Sequence, residues 1–135
     1  MTTTPMTQWT DDELTSLRTV DELEIAGRRD DGTLRRPRTI WVVEHDGHAY
    51  VRSVNGATAA WYRGTRTRGE GHVTVGTVDR DVAFVDAVDD EALNDVLDAV
   101  YRDKYRRYAA NTVEGIIGPD ARATTMRLVP RNQGD

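Results

Sequence analysis

The residues of this chain best suited to hold an anionic or flat ligand are Arg52 and Ser53, followed beyond Asn55-Gly56 by Trp61, Tyr62 and Arg63. A guanidinium presents paired N–H donors in one plane, and a serine hydroxyl adds another, a combination that suits phosphate or carboxylate. Trp61 and Tyr62 offer faces on which a ring can stack, and Arg63 places a charge beside them. Each also has a structural use: Arg52 can lie over Trp41 as a cation–π contact, Trp61 can plug a barrel end, and Arg63 can be solvated. Thr125 and Arg127 share one side of an extended run, where they can complete a polar pocket or face solvent. Tyr105 belongs to the helical spacing Tyr101, Tyr105, Tyr108, which reads first as an apolar stripe. Its neighbour Lys104 is the sole lysine beside 17 arginines. Adjacent helix positions point about 100° apart, so the two do not face one another.

Other chemistries have weaker support. The chain has no cysteine, which excludes disulfides, thiolate nucleophiles and cysteine zinc frameworks together. His45 and His48 flank a turn with no third ligand near, so no metal is expected. No Ser-His-Asp order, Gly-x-Ser-x-Gly elbow or phosphate loop is present. The net charge of −5 argues against duplex nucleic acid, which requires a basic field. No run reaches the roughly 18 apolar residues of a membrane span, and the N-terminus lacks a basic start and an apolar core. The expected location is cytoplasmic, with no membrane attachment.

The 135 residues, 38% hydrophobic and 30% charged, fit one α+β domain over 9–131, with disordered tails at 1–8 and 132–135. Thr10-Asp11-Asp12-Glu13 is a capping box and predicts a helix over 10–19, with an alternating strand at 22–25 after it. Runs 38–44 and 49–54 flank Asp46-Gly47, a dipeptide that tolerates positive φ at both centres of a type I′ turn. The resulting hairpin register opposes Val43 to Tyr50, Val42 to Val51, Trp41 to Arg52 and Ile40 to Ser53, with Trp41, Val43, Tyr50 and Arg52 on one face. A helical turn is expected at 56–61. Strands are expected at 71–78 and 82–88 across Asp79-Arg80-Asp81, and an amphipathic helix at about 90–108. A closing strand is expected at 121–129. Consecutive strands with tight turns make a small antiparallel split β-barrel of about six strands, covered by the long helix and a short N-terminal one.

The runs Asp31-Gly32 to Trp41, Tyr50 to Gly56, Trp61-Tyr62-Arg63, Ala99 to Tyr105 and Ala121 to Arg131 occur in an order that resembles a domain-of-unknown-function family (numbered 2255) of small bacterial proteins. That family is more distantly similar to split-barrel flavin and deazaflavin proteins of the pyridoxamine phosphate oxidase type. The distant resemblance implies a homodimer with cofactor phosphate near the hairpin strands and the ring system at the subunit interface. It assigns FMN or a deazaflavin to Arg36, Arg38, Arg52, Ser53, Gly56 and Trp61. Trp41, Tyr62, Arg63, Tyr105, Thr125 and Arg127 then form the pocket for a small organic substrate. Two readings follow: a flavin- or deazaflavin-dependent oxidoreductase, or a cofactor-free ligand-binding protein or biosynthetic enzyme using the same barrel pocket. The residues suit no cofactor as well as they suit one, and a structural or interaction protein fits the clustered Arg, Trp and Tyr less well.

Overall fold

The computed structural model describes residues 8–131; most of the expected N-terminal tail, and all of the C-terminal one, lie outside them. Seven strands form one antiparallel sheet. They are β1 (Glu22–Gly27), β2 (Arg38–Trp41), β3 (Val43–His45), β4 (His48–Val51), β5 (Glu70–Val75), β6 (Val78–Asp86) and β7 (Met126–Pro130). Their order is β2-β1-β5-β6-β7-β4-β3. The two edge strands, β2 and β3, are successive pieces of one run that bends at Val42, so the sheet is joined at its edges into a nearly closed barrel.

The Asp46-Gly47 turn forms as its chemistry requires, with φ of 53° and 82°, and sets Val43 opposite Tyr50. Beyond that pair the expected register fails. Trp41 pairs with Glu22 and Ile40 with Leu23, because β2 leaves β4 and joins β1. The β5–β6 turn also differs: Val75 opposes Val78 across Gly76-Thr77, and Asp79-Arg80-Asp81 lie within β6. Gly76 takes φ 54° and sits against Ser16, whose Oγ also accepts from the Thr77 N–H at 3.0 Å. A β-carbon at Gly76 would meet that Oγ at 2.5 Å, so the turn and the helix seated on it jointly require glycine there.

Helix α1 (Asp11–Thr19) carries the capping box, with Thr10 N–H donating to Glu13 and Glu13 N–H to Thr10 Oγ1. Leu17 enters the barrel core beside Leu23, Ile25, Val42, Val51, Val73 and Leu128. A 3-10 turn (Gly56–Thr58) leads into α2 (Ala60–Thr65), whose Tyr62 joins the same core. Helix α3 (Glu91–Lys104), capped by Asp90, ends four residues before the expected 108. Its Leu97 and Tyr101 pack with Tyr105 over Val43 and Tyr50 on the outer sheet face. Helix α4 (Ala110–Ile117) was not expected. It is followed by α5 (Pro119–Arg122), so 121–125 is not strand and β7 starts only at Met126. Pro119 suits a first helical position because the N–H it lacks would be unpaired there anyway.

Candidate functional site

Arg52 follows β4, and its side chain is fully buried between the sheet and α3 and α4. Its Nε donates to Thr125 Oγ1 at 3.0 Å. One terminal nitrogen donates to Asp98 at 2.6 Å and the Ile116 carbonyl at 3.2 Å, and the other to Asn94 Oδ1 at 2.8 Å and the Asn94 carbonyl at 3.2 Å. Five acceptors match the five N–H donors of a guanidinium. The fork is therefore saturated by protein, which leaves no N–H for an anion, and its cation–π partner is Tyr101 rather than Trp41. Thr125, also fully buried, belongs to this clamp through its bond to Asn94 Oδ1 and is no pocket residue.

Ser53 is committed in the same way. Its hydroxyl donates to the Gly56 carbonyl at 2.8 Å and its N–H to Thr124 Oγ1, closing the turn in which Gly56 takes φ 75° against Asp120. The Tyr62 hydroxyl accepts from Arg66, which also forms a two-point pair with Asp86. Arg36 and Arg63 are exposed.

What the structure does bring together is a cleft of about 420 Å³ bordered by Arg38, Trp41, Trp61, Val54, Asn55 and Ile116, with Arg52 also at its edge, its N–H donors already spent on protein acceptors. Trp41 and Trp61, 20 residues apart, both border it because β2 leaves β4 to pair with β1, against which α2 packs. Ile40 adds apolar wall, and Thr39, Asn55 and Thr112 add hydrogen-bonding groups. Arg38 is exposed and, among the described residues, has no side-chain hydrogen bond or ion pair, so its fork is available. Predominantly apolar walls with a few polar groups are what a small-molecule site requires. Sequence reasoning found Arg38, Trp41, Arg52 and Trp61; it missed Thr112 and Ile116. The helical spacing of Val113, Ile116 and Ile117 before Gly118-Pro119 was the signal for them.

Tyr105 lies behind the cleft, its ring stacked on Trp41 at 3.9 Å and 5°. Its hydroxyl accepts from the Val42 N–H at 3.0 Å and lies 2.5 Å from the Asp21 carbonyl and 3.0 Å from that of Val42. Lys104 donates to the carbonyls of Leu17 and Val42 at 2.8 and 2.6 Å. Both side chains thus satisfy the Val42 groups at the strand bend and tie them to α1 and the start of β1, and they fix the wall from which Trp41 projects.

Burial pushes the Lys104 ammonium down to about 8 from its ordinary 10.5. Between those values the folded chain has released a proton that the unfolded chain still holds, so stability rises with pH across that interval. Burial pushes the Tyr101 and Tyr105 phenols up, so above about 10 unfolded tyrosines ionise first and stability falls again. Urea unfolding from pH 7.5 to 10 is expected to show the rise in the natural protein and a flatter profile in Lys104→Met.

Arg127 is separate from the cleft. It lies on the outer sheet face, opposite Tyr50 and Val85, and borders a different cavity. Among the described residues no three histidine or acidic side chains converge as metal ligands, and no helix is long and apolar enough to cross a membrane.

A nearly closed seven-stranded barrel with helices on its outer face and an aromatic cleft beside its bent strand defines a small split-barrel-like protein. The chain belongs to the family described as an uncharacterized protein conserved in bacteria (DUF2255), whose model matches residues 13–128. HutZ, the heme storage protein from Vibrio cholerae, shares the fold with a TM-score of 0.56 and 12% identity over 93% of this chain and 91% of that one. An F420 reductase gives 0.52 and 14%, covering 87% and 90%; a FAD-binding protein from Mesorhizobium loti gives 0.52 and 16%, covering 93% and 92%. At these identities the likeness carries the fold. None of the curated proteins matches the chain.

Proposed function

We propose that this protein binds a planar, anionic small molecule in the cleft between Trp41 and Trp61, with Arg38 holding the anionic group. The observation that carries this reading is one cavity bordered by two tryptophans and an arginine with no ion-pair partner. An aromatic ligand would gain stacking and burial from the indoles, while the Arg38 fork suits phosphate or carboxylate in two-point geometry. Asn55, Thr39 and Thr112 supply donors and acceptors for the polar edge of such a ring.

The ligand class is a flavin or deazaflavin. Support comes from these residue types together with a fold shared by a FAD-binding protein and an F420 reductase. Such a group would itself supply hydride chemistry, making the protein an oxidoreductase for a small organic substrate. The chain's own residues would bind, orient and shield it. Arg36, two residues before Arg38, and Arg63, two after Trp61, are the nearest further cations in sequence for a longer anionic tail. A homodimer belongs to the same reading.

Titration with flavin mononucleotide, followed by visible absorbance and tryptophan fluorescence, is expected to give saturable binding. Loss of one charge-assisted, two-point contact is worth about 1.5–3 kcal/mol, so Arg38→Ala should weaken binding roughly 10- to 100-fold with unchanged thermal stability. A spectrum unchanged by both flavin mononucleotide and a deazaflavin would remove the cofactor. Unchanged affinity in Arg38→Ala would remove the anion contact. A haem titration separates the flavin class from the tetrapyrrole class stored by the Vibrio cholerae protein.

A further inference from the structure

A second cavity, of about 460 Å³, lies on the outer sheet face beside the start of α3 and shares no bordering residue with the tryptophan cleft. Its floor is the cross-strand pair Tyr50 and Arg127. Val85, Val88 and Leu93 form apolar walls, and the link before α3 contributes Asp86, Asp89 and Asp90. These charges differ in availability. Asp86 is held in two-point geometry by Arg66, and Asp90 caps α3 by accepting from the Leu93 N–H at 3.0 Å. Asp89 is exposed and, among the described residues, has no ion pair.

Arg127 likewise has no carboxylate within ion-pair distance among the described residues, although three aspartates border its cavity. Its buried Nε lacks an acceptor. A half-buried guanidinium in the middle of a sheet, left without a counter-ion, carries a desolvation cost that a bound carboxylate would offset. Arg127 hydrogen-bonds the Tyr50 side chain; burial pushes that phenol up, while the charge and hydrogen bond of Arg127 act in the opposite direction. One cavity therefore presents a cation without a counter-ion, hydrogen-bonded to a phenol, together with a carboxylate that has no ion pair and does not reach it, and apolar surface.

We propose that this groove is a second binding site, for a small zwitterion of the apolar amino-acid type. Its carboxylate is received by Arg127 and Tyr50, its ammonium by Asp89, and its hydrocarbon part by Val85, Val88 and Leu93. Asp89, which has no counter-ion, disfavours a ligand with only negative charge, whereas a balanced ligand meets a partner at each end.

The test follows the Nε–H signals of the arginines by NMR during titration with L-leucine, with isovalerate, which lacks the amine, and with isoamylamine, which lacks the carboxylate. Saturable movement of the Arg127 signal is expected with leucine, at an affinity at least tenfold above that of either fragment. Arg127→Gln should abolish leucine binding, as read by calorimetry. Asp89→Asn, on an exposed link, should leave the fold intact and bring leucine down to the affinity of isovalerate. No movement with leucine, or equal affinity for leucine and isovalerate in the natural protein, would overturn the proposal. If Arg127→Gln lowers the melting temperature, Asp89→Asn alone decides, and an unchanged preference there overturns it.

Discussion

Replacing Arg52 by Met is expected to cost about 3–5 kcal/mol of unfolding free energy, the range for removing one partner of a buried ion pair. The five acceptors around its guanidinium come from α3, α4 and the residue before β7, so one side chain ties the helical layer to the barrel. Methionine fills similar volume and makes none of these bonds, leaving the Ile116 carbonyl and one Asp98 oxygen without their donor. Two effects temper the loss. The desolvation of the guanidinium itself is relieved, and Asp98 keeps Arg122 at 2.6 Å as a partner. Asp98→Asn introduced with Arg52→Met should therefore cost less than the sum of the single changes, with a coupling of at least about 1 kcal/mol. Chemical denaturation of the four proteins measures this. Arg52→Met that stays fully stable and loses only ligand affinity would show that the guanidinium serves a ligand after all.

Tyr105→Phe is the second large effect, at about 1–3 kcal/mol, or a melting temperature lower by roughly 4 °C per kcal/mol at this chain length. The ring and its stacking on Trp41 survive, so the change isolates the hydroxyl. Without it the Val42 N–H is a buried donor with no partner, at the bend where β2 parts from β3. Phenylalanine at the exposed Tyr108, whose hydroxyl meets Asp21 at 3.0 Å, should cost less than about 0.5 kcal/mol. Equal losses at both positions would mean that the bend does not depend on this latch. Because Trp41 projects from the same bend, Tyr105→Phe should also weaken ligand binding in the cleft while leaving the anion preference unchanged.

The contrast between these arginines and tyrosines shows how far the sequence could be read. Local chemistry was legible: the capping box at Thr10, the positive-φ pair Asp46-Gly47, and Asp90 before an amphipathic run all formed as their residue types require. The antiparallel barrel followed from consecutive strands with tight turns. Val42 was not legible, because nothing in Ile-Trp-Val-Val marks where one strand leaves its hairpin partner for another. The Gly76-Thr77 turn lost out to the charged Asp79-Arg80-Asp81, yet charges are accommodated within β6 when His72, on the neighbouring strand, lies 2.5 Å from Asp79 and 2.8 Å from Asp81.

Arg52 is the sharpest case. Arginine in a strand reads as a surface or ligand-binding residue, since its burial requires acceptors that lie 42 to 73 residues further along the chain. Arg52 borders the cleft with its donors committed to protein, and Ser53 and Thr125, beside and opposite it, are hydrogen-bonded within the same region. Arg38, which rested on resemblance, and Trp61, read also from its stacking face, now share a cavity with Trp41, whereas Arg127 faces another one. The cleft's remaining wall comes from α4, whose Val113-Ile116-Ile117 spacing is short and follows an unremarkable Ala-Ala-Asn-Thr start.

The three tryptophans give the most direct measurement of the central claim, because Trp41 and Trp61 border the cleft while Trp9 packs in the barrel core with Arg80 over its ring. Indole N–H signals assigned by single replacement and followed during flavin mononucleotide titration should show Trp41 and Trp61 moving together to saturation, with Trp9 unmoved. Movement of Trp9 without the other two, or saturable binding that leaves both cleft indoles in place, would contradict a ligand site between Trp41 and Trp61.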